Sequence, residues 1–170
     1  EVRDLLTKFD SALTDKQIMY VNLHPLVKDK VPIEGYKHIV KFPDDVDSYS
    51  FLNAVDVLIT DYSSVFFDFS ITRKPIVLFM YDYDAYMAER GMYMDVRDLP
   101  FRKIYTMNEM LAYLHENDKQ ADVNSAAYDA YYKMFTNYDA PDNIQNLNDM
   151  QREGVLTTQG PLLLLAGAGS

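Results

Sequence analysis

The chain has 170 residues, enough for one domain of ordinary size, which hides roughly 70% of the surface its unfolded form exposes. Its 48% hydrophobic content, with 14 Tyr and 9 Phe, places it among globular chains, and the absence of cysteine excludes thiolate zinc sites, iron–sulfur clusters and cysteine nucleophiles. Sixteen Lys and Arg against 26 Asp and Glu give a formal charge of −10, which repels nucleic acid and anionic lipid, and no run of five basic residues offsets it.

Leu5, Leu6, Phe9 and Leu13 recur at three-to-four spacing and predict an amphipathic helix. Gln17 to Leu23 is a short apolar run rich in strand formers, ended by His24-Pro25, and reads as a buried strand. Tyr36 to Phe42 is a second strand, closed by Pro43 and Asp44-Asp45. Ser48 is positioned to cap a short helix through Phe51, Leu52 and Ala54. Asp56 to Thr60 has the continuous apolar character of a central parallel strand. Asp61-Tyr62-Ser63-Ser64 then turns the chain into a helix over Val65 to Phe69, and Pro75 to Phe79 is the next strand. A helix from Tyr83 to Arg90 is stopped by Gly91, Lys103 to Tyr105 is an edge strand, and helices over Asn108 to His115 and Ser125 to Phe135 follow. Strands alternating with helices imply an α/β fold, a doubly wound parallel sheet with right-handed crossovers and helices on both faces.

The composition changes at Ala140-Pro141-Asp142-Asn143, where the aromatic pattern gives way to polar residues and a Gly/Leu/Ala tail. This divides the chain into a domain over residues 1–140 and an extension over 141–170. Glu1-Val2-Arg3-Asp4 lacks the basic and apolar regions of a signal peptide, and Leu162 to Leu165 with its extension falls far below the ~20 residues that cross a bilayer, so a cytoplasmic location is expected.

In an open parallel sheet, ligands bind outside the carboxyl ends of the strands. His24 follows the first strand. Ser63 and Ser64 follow the central strand at a helix start, where free backbone N–H groups and two hydroxyls favour an anion without a glycine-rich loop. The plainer readings stay open at this point: one serine as a helix cap, Asp61 as a turn residue, Asp68 as a solvated helix carboxylate, His24 as a structural residue fixed by Pro25. His38 and His115 read as ordinary packed or solvated histidines.

Leu23-His24-Pro25, then Ala54 through Asp68 with Asp61-Tyr62-Ser63-Ser64 at its centre, then Arg73-Lys74-Pro75-Ile76, Tyr81-Asp82 and Glu89 through Asp95, resemble the CDP-glycerol glycerophosphotransferases of teichoic acid synthesis. The likeness spans roughly residues 17–139. It implies a GT-B architecture, of which this chain is similar to the second, Rossmann-like, CDP-glycerol-binding half. The implied reaction moves glycerol phosphate from CDP-glycerol to a hydroxyl of a teichoic acid polymer and releases CMP, with no cofactor or metal. Carried over residue by residue, Ser63 and Ser64 would hold the diphosphate, His24 would contact phosphate or protonate the leaving CMP, Asp61 would orient the serine turn and Asp68 would reach donor hydroxyls. The acceptor site and a general base would come from a first half outside these 170 residues, and the isolated chain would be inactive. The complete protein would associate peripherally with the inner face of the cell membrane, and this domain would bind no nucleic acid. Where the family carries an Asp-Asp-Gly segment and a following arginine, this chain reads Tyr138-Asp139-Ala140-Pro141-Asp142-Asn143-Ile144-Gln145. Loss of that charge-assisted contact would cost the donor about 1.5 to 3 kcal/mol.

The tail, Leu147 to Glu153 and Gly160 to Ser170, is similar to the opening of UvrD/Rep-type DNA helicases, stopping before the Gly-Lys-Ser/Thr of a phosphate loop, so no nucleotide hydrolysis is expected of it. The plainer reading is an apolar end that packs as an extra strand. Two further readings of the whole are a nucleotide-sugar GT-B glycosyltransferase half and a degenerate, non-catalytic interaction domain fused to a helicase.

Overall fold

The computed structural model describes residues 2–23, 31–89, 95–136 and 163–164. In chain order the elements are α1 (Val2–Ala12), β1 (Met19–Val21), β2 (Ile39–Lys41), α2 (Ser48–Leu52), β3 (Leu58–Thr60), α3 (Val65–Ser70), β4 (Ile76–Phe79), α4 (Tyr83–Glu89), β5 (Arg102–Ile104), α5 (Met107–Leu114), α6 (Ala126–Thr136) and β6 (Leu163–Leu164). Three-ten turns occupy Val96–Asp98 and Lys119–Asp122. All six strands form one parallel sheet in the order β2-β1-β6-β3-β4-β5. This is the doubly wound α/β arrangement expected from the alternation of strands and helices.

Alternation along the strands divides the core between two faces. Leu58, Ile76, Leu78 and Met80 join Leu52, Phe66, Phe69, Tyr83, Tyr128 and Tyr131 on one side, where α2, α3, α4 and α6 pack. Val57, Ile59, Val77 and Phe79 join Leu6, Phe9, Leu13, Met110, Tyr113 and Leu114 on the other, beneath α1 and α5. β3 and β4 are buried at every position, which is why, apart from the closing Thr60 of β3, their sequences are apolar runs rather than alternating ones. Hiding a side chain such as Phe66 or Phe69, both almost completely buried, stabilises the fold by about 1.5–3 kcal/mol.

Three local devices set the connections. Lys74 is buried at the amino end of β4 and its ammonium donates to the carbonyls of Asn53 and Val55, each at 2.9 Å, tying the entries of β3 and β4 together. α5 opens on a capping box: Thr106 accepts from the Glu109 N–H at 3.2 Å while Glu109 accepts from the Thr106 N–H at 2.9 Å. α2 starts one residue earlier than its serine suggests. Asp47 is the cap, its carboxylate accepting from the Ser50 N–H at 2.8 Å, and Ser48 is the first helical residue. An ionised carboxylate is a stronger acceptor at a helix start than a hydroxyl, which explains the displacement. The tail supplies β6 in the interior of the sheet, as the extra-strand reading anticipated.

Candidate functional site

The chain adds β2 on one side of β1 and adds β4 and β5 on the opposite side of β3, so the winding reverses between β1 and β3, and the carboxyl ends of those strands border the crevice where such sheets bind ligands. At the end of β3 the chain turns through Asp61-Tyr62-Ser63-Ser64 into α3. The Asp61 carboxylate accepts from the Ser63 N–H at 3.2 Å, closing a tight side-chain-to-backbone turn. Ser64 sits at the cap position with φ −63° and ψ −8°, already helical, and its side chain makes no capping hydrogen bond. Its hydroxyl is therefore not used in starting α3. Both serines are exposed. α3 is only six residues long, so backbone N–H groups and hydroxyls, rather than a long helix dipole, define what the turn offers an anion.

Asp61 is only partly accessible, and burial pushes its carboxyl up to about 6; the backbone N–H of Ser63 pulls the other way, and the charge of Asp82 adds to the rise. Asp82 lies at the end of β4 and accepts from the Tyr62 hydroxyl at 2.8 Å. Burial and that bond both push the Tyr62 phenol above its ordinary range. The Tyr62 ring stacks on Tyr86 of α4 with centroids 3.9 Å apart. The serine turn is thus anchored from behind by a tyrosine that reaches the next strand end and the next helix. Beside it, Thr60 is 1% exposed and its Oγ1 finds no hydrogen-bond partner.

A cleft of about 530 Å³ opens at the carboxyl ends of β4 and β5, lined by residues including Tyr81, Asp82, Arg97 and Tyr105. Arg97 is engaged there by Asp95, with Nη2 to Oδ2 at 2.6 Å. Among the described residues no group of three or more His, Asp or Glu side chains is arranged to hold a metal ion.

The sequence singled out five residues. Asp61, Ser63 and Ser64 come together in the turn after β3. Asp68 lies one helical turn along α3 from Ser64, where its charge acts on Tyr131 of α6. His24 falls outside the described residues, as do Arg90 and Gly91 at the predicted stop of α4. His38 and His115 match their plain readings: the His38 N–H donates to Asp10 at 2.7 Å ahead of β2, and His115 is the carboxyl cap of α5. The Tyr62–Asp82 pair was not read as part of the site. Its signal was available, since Tyr81-Asp82 directly follows a buried strand, the same position that drew attention to Asp61.

The model of the CDP-Glycerol:Poly(glycerophosphate) glycerophosphotransferase family matches residues 4–150. The chain is 30% identical over 138 residues to the teichoic acid glycerol-phosphate primase of Bacillus subtilis (strain 168), a match covering 79% of this chain and 34% of the primase. It is 34% identical over 145 residues to the teichoic acid poly(glycerol phosphate) polymerase of Staphylococcus epidermidis, covering 81% of this chain and 20% of the polymerase. A variant of the wall teichoic acid polymerase TagF superposes with a TM-score of 0.66 at 25% identity, over 92% of this chain and 38% of that one. The chain therefore spans about a third or less of the length of the curated relatives it matches. Its parallel sheet is the Rossmann-like fold of a GT-B-type glycosyltransferase half. By the extent of the family match, the chain belongs to the CDP-glycerol:poly(glycerophosphate) glycerophosphotransferase family.

Proposed function

We propose that this chain is the donor-binding half of a CDP-glycerol glycerophosphotransferase, which passes glycerol phosphate from CDP-glycerol to a hydroxyl of a teichoic acid polymer and releases CMP. The observation that carries the reading is the turn after β3, where two exposed serines stand at the winding reversal and the Ser64 hydroxyl is not spent on its helix. In the reaction an acceptor oxygen forms a bond to the glycerol-bearing phosphorus as the bond to the CMP oxygen breaks, and that oxygen leaves with the electron pair. Charge grows on the diphosphate, so fixed donors aimed at it lower the barrier. Ser63 and Ser64 supply those donors, and Asp61 holds their backbone in place. His24, three residues after β1 in the sequence, contacts the phosphates or gives the leaving CMP its proton. Asp68 reaches the donor hydroxyls. The acceptor site and the base that takes the acceptor proton belong to a facing half outside these residues, so the isolated chain binds the donor without turning it over. No helix among the described residues is long and apolar enough to cross a membrane. The complete protein works from the cytoplasmic side, peripheral to the membrane that carries its polymer.

Titration calorimetry of the chain with CDP-glycerol, CMP and UDP-sugars tests this. Binding of CDP-glycerol and CMP in preference to UDP-sugars is expected. A preference for UDP-sugars would move the chain to the nucleotide-sugar transferases, and no response to any of them would leave a domain with the ancestry but not the ligand. Replacing Ser63 and Ser64 together by Ala removes two hydrogen bonds to a charged group at about 1.5–3 kcal/mol each, so donor affinity should fall at least about a hundredfold while the melting temperature moves by no more than a few degrees. Unchanged affinity with a much lower melting temperature would make the serines structural.

A further inference from the structure

A second cleft, of about 480 Å³, lies at the amino ends of β3 and β4, the opposite end of those strands from the serine turn. Arg73 and Lys74 line it from the turn that enters β4, and Lys119 from the three-ten turn that follows α5. Among the described residues that line it, Asp56 is the one carboxylate. Three cations against one acid reverse the balance of the whole chain, whose formal charge is −10. Asp61 stands five residues beyond Asp56, about 16 Å of extended chain at ~3.3 Å per residue, so an ion in this cleft is out of reach of the serine turn.

The two ammonium groups are held in place without being neutralised. Lys74 is 9% exposed, and its two bonds go to the Asn53 and Val55 carbonyls. Lys119 is half-buried and donates to the carbonyls of Leu114 at 3.2 Å and Glu116 at 2.7 Å. A carbonyl carries no net charge, and an ammonium has three N–H donors, so each lysine keeps its charge and one N–H without a partner among the described residues. Burial holds both below the usual lysine range, against the opposing pull of Asp56 on Lys74 and of Glu116 on Lys119. Arg73 stands at φ 52°, a conformation that glycine adopts freely and a β-carbon disfavours. The Gln120 amide donates to the Arg73 carbonyl at 3.0 Å, and the guanidinium lies over the Tyr132 ring at 4.7 Å with one Nη bonded to Asp129. That single bond leaves the other donors of the guanidinium fork for a ligand.

We infer that the cleft between Arg73, Lys74 and Lys119 is a second anion site, separate from the serine turn, that takes a phosphate group. Two point charges on fixed stems and one planar fork meet a tetrahedral anion from different directions, and the side-chain amides of Asn117 and Gln120 border the same space. Nucleic acid is a poor occupant, because the rest of the chain repels a long duplex. The phosphate is either a free ion or one phosphodiester of a glycerol phosphate chain. The second source rests on the function proposed above, since it makes the site a hold on the growing polymer away from the point of transfer; the site itself does not rest on it.

The test is nitrogen-15 NMR of the 170-residue chain, titrated with inorganic phosphate and, separately, with a synthetic glycerol phosphate oligomer. The side-chain amides of Asn117 and Gln120 should shift in a saturable way, and the affinity should fall as sodium chloride is added. Arg73→Gly relieves the backbone at φ 52°, and Lys119→Gln keeps a donor without the charge; each should weaken binding by about tenfold or more while signals away from the cleft stay in place. An oligomer that binds at least about tenfold more tightly per phosphate than the free ion assigns the site to the polymer, and equal affinities assign it to free phosphate. The inference is overturned if the two amides do not shift, if their shifts survive both substitutions, or if polyglutamate reproduces them at the same concentrations. Shifts that vanish when Ser63 and Ser64 are both replaced by Ala would likewise return the anion to the donor site. CDP-glycerol affinity should be the same in Arg73→Gly as in the wild type. Failure of CDP-glycerol to bind at all would sink the donor reading and leave the phosphate shifts at Asn117 and Gln120 untouched, so the two failures are distinct.

Discussion

Replacement of Asp61 by Asn isolates the electrostatic cost of the serine turn. In the unfolded chain this carboxyl ionises near 3.8, and in the folded chain near 6, chiefly because the turn buries it. Between those values the folded state keeps a proton that the unfolded state has lost, so stability from this residue falls as pH rises and the loss is complete above about 6.5. The difference of roughly two units corresponds to about 3 kcal/mol at neutral pH, of which about 2 kcal/mol develops between pH 4.5 and 8. The amide of Asn accepts the same Ser63 N–H without ionising, so the turn is kept while the titration is removed. Urea unfolding of wild type and Asp61→Asn should therefore give free energies whose difference grows by about 2 kcal/mol in favour of the variant from pH 4.5 to 8. Carboxylates lowered by their partners, such as Asp10 and Glu109, act with the opposite sign at lower pH but cancel in the comparison. Parallel pH profiles for the two proteins would refute the buried-carboxylate account.

Two further substitutions probe the surroundings of the turn and the strand entries. Thr60→Val exchanges a buried, unpartnered hydroxyl for a methyl of the same shape, so the melting temperature should hold or rise by a few degrees; a fall of more than 1 kcal/mol would mean that the hydroxyl is bonded. Lys74→Met removes both bonds to the Asn53 and Val55 carbonyls and should cost about 1–3 kcal/mol in denaturant unfolding, with donor binding unchanged because the change is at the opposite end of the strands.

The strands most legible in the sequence were those with the strongest physical constraint. β3 and β4 are buried on both faces, so Val57-Leu58-Ile59 and Ile76-Val77-Leu78-Phe79 admit little besides aliphatic and aromatic residues and read as strands without ambiguity. The ends were less legible, because a helix start is decided by which of several neighbouring acceptors captures the free N–H groups. Asp47 and Ser48 are both good caps, and only the backbone angles show that Asp47 takes the position. The serine turn was visible from its place after a buried strand, yet periodicity gave no means of knowing that Ser64 leaves its hydroxyl unused. The Tyr62–Asp82 bond joins residues 20 positions apart and depends on β3 and β4 being neighbours, a relation that pattern alone does not supply. The place of Leu163–Leu164 was least accessible of all, since a run of leucines specifies burial but not address.

The outer strands of the sheet are β2 and β5, and both carry cationic side chains: Lys41 on the first, Arg102 and Lys103 on the second. Arg102 is drawn sideways to Glu116 and Asp122, and Lys41 to Asp44. A foreign chain docking along either rim would have to strip water from these ammonium and guanidinium groups, which discourages growth of the sheet into fibrils. The molecule is thus guarded against accretion at its borders, and aggregation on heating should begin with unfolding of the sheet rather than with stacking of intact molecules.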